Sequence, residues 1–487
     1  MTTTLWPMLL IPIIGIIGVL INKEKEKEIG LLASVLTWLE SIRVWINLEE
    51  GTSEFQFLTK INLIEGLGFN PLLAVDGISI IYVVLSTLLI PICILASWDS
   101  IKIFKKEFII CLLSIEVLLI GVFTILDILG FYICFEGVLI PMYLIIGVWG
   151  ARQEKVTAAY YFFFYTLIGS VLMLLSIIYI YYLHGTTDYL TLLGKEIKPE
   201  VQNILFIGFF ASLAVKIPTF PLHIWLPQAH VEAPVAGSVL LAGILIKLGS
   251  YGLIRFTLPL LPSACVYFTP LVFTLGTLAI IYASLTTLRQ IDLKRIIAYS
   301  SVSHMGVVML AIFTFTAIGI EGSIFLQVAH GIVSSALFII VTILYDRHHT
   351  RIVKYYRGVA VTMPLFALFF LIFTLANIAV PLSCNFIGEF LSLMTVYSTD
   401  PFVGILASSG MVLSACYALF LYNRVCFGSM SQYLKNSLEN RDINRREFFV
   451  LIPLAILTIF LGIYPNLILD YLHPSTLFIL NFSNPNA

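Results

Sequence analysis

The sequence is poor in charged residues. Asp, Glu, Lys and Arg make up 11% of its 487 residues, whereas a soluble globular domain carries about 25%. Apolar residues make up 59% of the chain, and its mean hydropathy is +1.00. This shortage of charge excludes an ordinary soluble domain and predicts an all-α polytopic membrane protein. The net charge of −1 also argues against nucleic acid as a partner.

Cysteine clusters and nucleotide-binding motifs are missing as well. The seven cysteines show no C-x-x-C spacing, which disfavours iron–sulfur or zinc ligation and implies no disulfides. The sequence has no Walker motif and no G-x-G-x-x-G after a strand. We therefore expect no cofactor to be bound by this chain. The first apolar run lacks the basic segment of a signal or transit peptide, so we expect a transmembrane helix there.

Long apolar runs are abundant, and a membrane-spanning helix needs about 20 apolar residues. We predict fourteen spans, numbered from the N-terminus: Thr4–Ile21, Ile29–Leu48, Ile78–Trp98, Phe108–Leu126, Ile128–Val148, Ala158–Leu183, Ile204–Leu226, Pro234–Arg255, Leu260–Leu288, Ile296–Phe315, Ile318–Tyr345, Met363–Tyr397, Val403–Tyr422 and Phe448–Ile468.

Basic residues fall mostly on one side of this arrangement. The loops after odd-numbered spans hold most of the 27 lysines and arginines, Lys23 and Lys435 among them. The loops on the other side hold only Lys60, Lys195, Lys198 and Arg255. Because basic loops stay on the cytoplasmic or matrix side of a membrane, this asymmetry predicts that both termini lie on the opposite side.

Two of the predicted spans are interrupted. Span 7 contains Pro218, Pro221 and Pro227, and each proline removes a backbone donor and disturbs the preceding turn. Span 12 is too long for one straight helix and breaks at residues 381–385. Interrupted helices at matching places in inverted halves are typical of ion transporters.

We therefore predict two inverted five-helix repeats, spans 4–8 and 9–13, with discontinuous helices at spans 7 and 12. The corresponding segments are an N-terminal three-helix segment (1–107), the first repeat (108–255), the second repeat (256–422), and a loop with the C-terminal helix (423–487).

Six titratable residues lie inside these apolar runs: Glu136, Lys216, Lys247, His304, His330 and Glu389. A charged side chain near the bilayer centre costs at least about 2.5–3.5 kcal/mol on insertion scales, so its default interpretation is functional. Histidine titrates near neutral pH and can both donate and accept a proton, which suits a relay. The sequence therefore predicts a path for ions.

Structural alternatives remain for each of these residues. Glu136 and Lys216 could form a static buried pair that only fixes packing. Either histidine could be neutral and bonded to a backbone carbonyl, or the two could be a haem ligand pair, although no further haem signal is present. Glu389 could cap the second half of span 12.

Six stretches resemble a known family. They are residues 135–142 (Phe-Glu-Gly-Val-Leu-Ile-Pro-Met), 216–227, 243–252, 297–306, 329–331 (Ala-His-Gly) and 385–390 (Asn-Phe-Ile-Gly-Glu-Phe). Together they resemble the antiporter-like membrane subunits of mitochondrial proton-pumping NADH:ubiquinone oxidoreductase, or respiratory complex I. Relatives of that family include Mrp-type sodium/proton antiporters. Residues 345–351 and 353–356 favour the mitochondrial form over the plastid one.

The resemblance implies a proton-translocating subunit with a relay across the midplane of the membrane. In that family, the positions of Glu136 and Lys216 form an ion pair, and Lys247 is the next carrier. His304 and His330 would continue the relay to Glu389, the terminal carrier. Gln228 stands where many relatives carry an acid, so no relay role is assigned to it.

The resemblance also implies a location and partners. It implies the mitochondrial inner membrane, with the basic loops in the matrix. NADH, FMN, iron–sulfur clusters and ubiquinone would bind to other subunits of the complex. The partners would be other membrane-arm subunits, including adjacent antiporter-like ones, and membrane lipids, with cardiolipin as one candidate. The alternatives are a stand-alone Na⁺/H⁺ antiporter and a purely structural spacer subunit.

Overall fold

A computed structural model describes residues 4–22, 24–60, 72–431, 433 and 441–483. Its helices are α1 Trp6–Ile21, α2 Glu26–Ile46, α3 Gly77–Ala96, α4 Lys105–Thr124, α5 Ile128–Trp149, α6 Lys155–His184, α7 Tyr189–Leu193, α8 Pro199–Lys216, α9 Trp225–Glu232, α10 Val235–Leu260, α11 Pro262–Arg289, α12 Leu293–Ile312, α13 Ala317–His348, α14 Val359–Thr362, α15 Pro364–Asn377, α16 Cys384–Thr399, α17 Pro401–Cys426, α18 Arg445–Ile463 and α19 Asn466–Ser483. Strands β1 (Gln56–Lys60) and β2 (Leu72–Val75) pair antiparallel.

The loops after the odd-numbered predicted spans meet at one face of the molecule. We call it the basic face, and it holds residues 97–104, 150–154, 290–292 and 349–358. There the amide of Ala151 donates to the carbonyl of Glu232 at 3.0 Å. Arg347, at the end of α13, pairs with Glu447, at the start of α18, at 2.7 Å. These contacts bring together segments far apart in sequence, as the alternation of the predicted spans requires.

The remaining helix ends meet at the opposite face, beside the two strands. The amide of Leu126, after α4, donates to the carbonyl of Leu72 in β2 at 2.8 Å. The amide of Tyr189, before α8, donates to the carbonyl of Leu126 at 3.0 Å. The hairpin therefore closes the ends of α3, α4 and α6 on this side, and it is an element that the sequence analysis did not predict.

Both predicted interruptions are present. Helix α8 ends at Lys216, and helix α9 begins only at Trp225, after the prolines at 218 and 221. Helix α15 ends at Asn377 and α16 begins at Cys384. Proline cannot continue the i→i−4 hydrogen-bond ladder, so each predicted span becomes two helices separated by non-helical backbone.

Helices α10 and α13 form the centre of the molecule. Every residue in the most apolar 18-residue stretch of each is buried inside the protein. Charged and polar side chains within these stretches therefore lie inside the protein. In contrast, α6 and α17 expose many large apolar side chains at the periphery, as expected for helices that face lipid.

Eleven helices within the described ranges are long and apolar enough to cross a membrane, and α1 and α15 are shorter apolar helices. Span 14 was predicted to run to Ile468, but α18 ends at Ile463 and a separate helix, α19, follows. Helix α19 has a proline at 474 and packs across the opposite face, where Ser475 accepts a hydrogen bond from the amide of Gly77 at 3.2 Å.

The predicted loop position of Arg255 is wrong. Helix α10 continues to Leu260 through a segment of π-helix, Leu253–Thr257, so Arg255 lies inside the protein with 1% of its surface exposed. Its guanidinium lies 2.5 Å from the carboxylate of Asp76, the N-cap of α3, which neutralises the buried charge. Of the predicted basic loop residues, Lys23 and Lys435 lie outside the described residues.

Candidate functional site

The centre of the site is a contact between α10 and α13. The ammonium group of Lys247 lies 3.0 Å from Nδ1 of His330, and both residues are almost completely buried. Lys247 also donates to the carbonyl of Ala242, which lies in a π-helical segment of α10, Leu241–Leu245. A π-helical segment inside an α-helix is frequent at functional sites, and here it supplies a carbonyl to the lysine.

The line of polar contacts continues onto α12 and α16. Nε2 of His330 lies 3.1 Å from the hydroxyl of Ser301. One turn further along α12, the ring of His304 lies 5.5 Å from the ring of His330, centroid to centroid. Nδ1 of His304 is at ion-pair distance, 2.7 Å, from Oε1 of Glu389. We call these five residues, Lys247, His330, Ser301, His304 and Glu389, the central line.

Four of the six predicted site residues thus come together from four different helices. The helix break before α16 positions Glu389 five residues into a helix that starts next to the bundle centre, with Asn385 and Ser392 buried beside it. All members of the central line are buried; Lys247, His330 and Ser301 are joined by polar contacts, and so are His304 and Glu389, while the rings of His330 and His304 bring the two groups together. Such an arrangement can hold a proton at several neighbouring atoms.

Glu136 and Lys216 form a separate group on α5 and α8. Lys216 is the last residue of α8, and its ammonium lies 4.5 Å from the centre of the Phe135 ring, a cation–π contact. The implied ion pair with Glu136 is not formed, although their charges are close enough to interact. Oε1 of Glu136 is buried and has no hydrogen-bond partner within the described part of the chain. The aromatic ring stabilises the charge of Lys216, and its place in the last turn of α8 is one where the helix dipole favours a cation.

Two acids near this group differ in their surroundings. Glu116, on α4, is fully buried, and neither of its carboxylate oxygens has a partner among the residues described. Asp127 caps α5, since its Oδ1 accepts from the amide of Gly130 at 2.8 Å, and Thr187 donates to its Oδ2 at 2.7 Å. Burial raises the pKa of Asp127, and these two hydrogen bonds oppose that shift.

The two histidines of the haem alternative contact other side chains in this structure. Both ring nitrogens of His330 are engaged, one with Lys247 and one with Ser301, and Nδ1 of His304 faces Glu389. Within the ranges that the structure describes, no group of three or more His, Cys, Asp or Glu side chains could hold a metal ion.

Several polar residues of this region were not predicted as site residues. Ser301 belongs to the central line, and His230, stacked on Phe338 at 4.5 Å, is buried close to the charge of Lys247. Lys294 was predicted in a loop, but it lies buried in the first turn of α12, where it donates to the carbonyl of Ala233 at 2.9 Å. The spacing of Ser301 and His304, three residues apart on one helix, was an available signal.

Comparison with known proteins identifies the class first. Residues 125–414 match the family model described as NADH:quinone oxidoreductase/Mrp antiporter, transmembrane. The fold agrees: a chain of respiratory complex I from Thermus thermophilus superimposes with a TM-score of 0.90 at 28% identity, covering 99% of this chain and 100% of that one. The protein is therefore an antiporter-like, multi-pass membrane protein.

The particular family follows from closer relatives. Residues 8–122 match the model for the amino terminus of NADH-ubiquinone oxidoreductase chain 4. Proteins named NADH-ubiquinone oxidoreductase chain 4 are 55% identical in Metridium senile, over 92% of both chains, and 53% identical in Chondrus crispus, over 97% of this chain and 96% of that one. The chain belongs to the NADH-ubiquinone oxidoreductase chain 4 family, and thus to the membrane subunits of an oxidoreductase complex.

Proposed function

We propose that this subunit carries protons across the inner mitochondrial membrane through the central line, with Glu136 and Lys216 as the preceding pair. The proposal rests on one observation. A buried polar path through the middle of an apolar bundle passes Lys247, His330, His304 and Glu389 one after another in space. Buried titratable groups at membrane depth are costly, and a relay is the role that uses all of them.

The contacts suggest how a proton moves. A proton on Lys247 can pass to Nδ1 of His330, while Nε2 of His330 exchanges with the hydroxyl of Ser301. The rings of His330 and His304 are 5.5 Å apart, centroid to centroid, and in this proposal a water between them carries the proton from His330 to His304. His304 can then protonate Glu389 across their 2.7 Å contact. Moving one charge against 100 mV requires about 2.3 kcal/mol. One pKa unit is worth about 1.36 kcal/mol, so shifts of a few units along the line are sufficient to drive the transfer.

Glu136 sets the charge state of Lys216 in this proposal. When the carboxylate is close, it holds Lys216 protonated; when it moves away, desolvation by the apolar surroundings favours release of the proton. Lys216 then passes its proton toward Lys247 through water in the region of the α8–α9 break, where non-helical backbone lines the interior.

The wider architecture belongs to the same proposal. We infer fourteen spans in two inverted repeats, with the basic face in the matrix and both termini on the intermembrane-space side. The chain has no redox centre of its own in this proposal. Instead, NADH oxidation and ubiquinone reduction occur in other subunits, and neighbouring membrane-arm subunits and lipids transmit the driving force to it.

Neutralisation of Lys247 tests the proposal. In the assembled complex, Lys247→Ala should greatly lower NADH-driven proton uptake into vesicles and slow NADH:ubiquinone reductase turnover, with assembly intact, because the line loses its central carrier. Lys195→Ala is the matched control, since Lys195 is an exposed lysine far from the line, and it should behave as wild type.

The alternatives give different results. A structural spacer predicts normal pumping in the Lys247→Ala complex, which would refute the relay. A stand-alone Na⁺/H⁺ antiporter predicts ion transport by the purified chain in proteoliposomes. Our proposal predicts none in that preparation, because the chain is driven from neighbouring subunits.

A further inference from the structure

A second pair of polar residues lies one helical turn from the Lys247–His330 contact. Ser250 follows Lys247 by three residues on α10, and Gln327 precedes His330 by three residues on α13. Residues three apart share a helix face, so the antiparallel helices present two successive polar contacts, Lys247 with His330 and Ser250 with Gln327. This second contact lies on the side of the opposite face.

The hydrogen bonds at Gln327 have a specific direction. The hydroxyl of Tyr82, on α3, donates to Oε1 of Gln327 at 2.8 Å, and the hydroxyl of Ser250 donates to the same oxygen. Nε2 of Gln327 is buried without a hydrogen-bond partner in the part of the chain that the structure describes. Oε1 of Gln327 thus lies between two hydroxyl groups, of which that of Ser250 also reaches the backbone carbonyl of Lys247 at 3.0 Å, and a carboxamide oxygen has no proton to pass on.

Beyond Tyr82, buried polar groups continue toward the opposite face. The rings of Tyr82 and Tyr251 are in edge-to-face contact with centroids 5.6 Å apart. The guanidinium of Arg255 lies 5.7 Å from the centre of the Tyr251 ring and pairs with Asp76 at 2.5 Å. We call Ser250, Gln327, Tyr82, Tyr251, Arg255 and Asp76 the side branch.

The side branch therefore lies between the Lys247–His330 contact and the face where α3 begins, with ring contacts rather than hydrogen bonds between Tyr82 and Tyr251. A carrier protein that pumps protons must not let them return by a shorter path. In a chain of hydroxyl groups, each oxygen can accept one proton and release another, but a carboxamide oxygen flanked by two donors cannot do so. Within the side branch, Oε1 of Gln327 is the atom that contacts the hydroxyls of both Ser250 and Tyr82.

We propose that Gln327 is a proton block, a positioning residue that stands between Ser250 and Tyr82, interrupts the side branch there and keeps protons on the route from Lys247 and His330 to Glu389. This inference rests on the proposed function, since a block has a purpose only if the central line carries protons. Gln327 orders Ser250 and Tyr82 without exchanging a proton with either. Because both hydroxyls lie next to Oε1, Nε2 of Gln327 is left buried without a hydrogen-bond partner among the described residues.

Gln327→Glu tests the block, because a carboxyl group of the same shape can both accept and release a proton. We expect the assembled complex to oxidise NADH while pumping fewer protons per NADH, and proteoliposomes that contain it to lose a preformed pH gradient faster without NADH. Gln327→Leu is the matched control, since it is similar in size and carries no proton, and it should hold the gradient as the wild type does.

Tyr82→Phe provides a second, independent readout. Removal of the hydroxyl takes away the next atom of the side branch, so the double variant Gln327→Glu/Tyr82→Phe should regain the wild-type proton yield and gradient. If the role of Gln327 is merely structural, Tyr82→Phe should not rescue the Gln327→Glu variant. In that case Gln327→Glu and Gln327→Leu should also have similar defects. Either that result or an unchanged gradient in Gln327→Glu overturns the block.

Failure of the block and failure of the relay are distinguishable. If Lys247→Ala abolishes pumping while Gln327→Glu does not leak, the central line stands and only the block is refuted. If Lys247→Ala pumps normally, the proposed function itself is refuted, and the block is refuted with it.

Discussion

At the scale of single residues, the contact between His304 and Glu389 predicts that mutations of the two residues have non-additive effects. Their side chains are 2.7 Å apart and buried, so they act as one unit rather than as two independent groups. His304→Gln and Glu389→Gln should each reduce NADH-driven proton uptake and coupled NADH oxidation. The double variant should lose little more than the worse single variant, with an interaction free energy of about 0.5–3 kcal/mol, as is usual for contacting residues.

The measurement is the coupled turnover rate of the assembled complex for the wild type, both single variants and the double variant. Glu200→Gln serves as the control, because Glu200 is exposed in the first turn of α8 and makes no contact with the central line. Strictly additive losses would mean that the two residues act in separate steps.

The charged members of the site could be predicted from the sequence, and the uncharged ones could not. Lys247 and Glu389 stand out because a charge in an apolar run is costly. Ser250, Ser301 and Gln327 do not, since hydroxyl and amide side chains are common in membrane helices and bond to many partners. Arg255 was placed wrongly because its partner, Asp76, is 179 residues away in sequence, and only the fold brings the two together.

At the scale of elements, the proposed relay depends on the close approach of α10 and α13. A Cβ atom at Gly331 would lie 2.9 Å from the carbonyl oxygen of Gly243 and 3.0 Å from a methyl group of Leu85. Gly331→Ala should therefore push the two helices apart next to the Lys247–His330 contact and destabilise the subunit by about 1–3 kcal/mol, as overpacking does. The variant complex should therefore be inactivated at a lower temperature than the wild type, and its NADH-driven proton uptake should be lower.

Gly147→Ala is the matched control for this helix contact. Gly147 is also helical, but its added Cβ would lie 3.7 Å from that of Ala159, which is an ordinary contact. Alanine favours a helix over glycine by about 1 kcal/mol, so this variant should be as stable as the wild type or slightly more stable. If Gly331→Ala were equally harmless, close packing of α10 on α13 would not be required for activity.

Most helices could be predicted because their length and hydropathy are strong signals. The interruptions could be predicted because proline cannot continue a helix. Helix α19 was missed for a physical reason: its 18 residues include Pro474 and mix polar with apolar residues, so no long apolar run marks it. The hairpin of β1 and β2 was missed because five-residue and four-residue strands carry little periodicity. The division into repeats stays a prediction.

At the scale of the whole molecule, the proposed orientation in the membrane rests on the basic face. Glu154 and Glu196 are both exposed and are separated by a single long helix, α6. If α6 crosses the membrane, the two positions lie on opposite sides of it. The positive-inside rule assigns the loop of Glu154, with its neighbours Arg152 and Lys155, to the matrix.

We therefore expect Glu154→Cys to react with a membrane-impermeant maleimide only from the matrix side, and Glu196→Cys only from the intermembrane-space side. Intact mitoplasts and inverted inner-membrane vesicles supply the two accessible surfaces, and detergent-solubilised complex, in which both positions should react, is the control. Reversed labelling would invert the orientation and place the basic face outside the matrix. Labelling of both positions from one side would mean that α6 does not cross the membrane, and the count of fourteen spans would then be wrong.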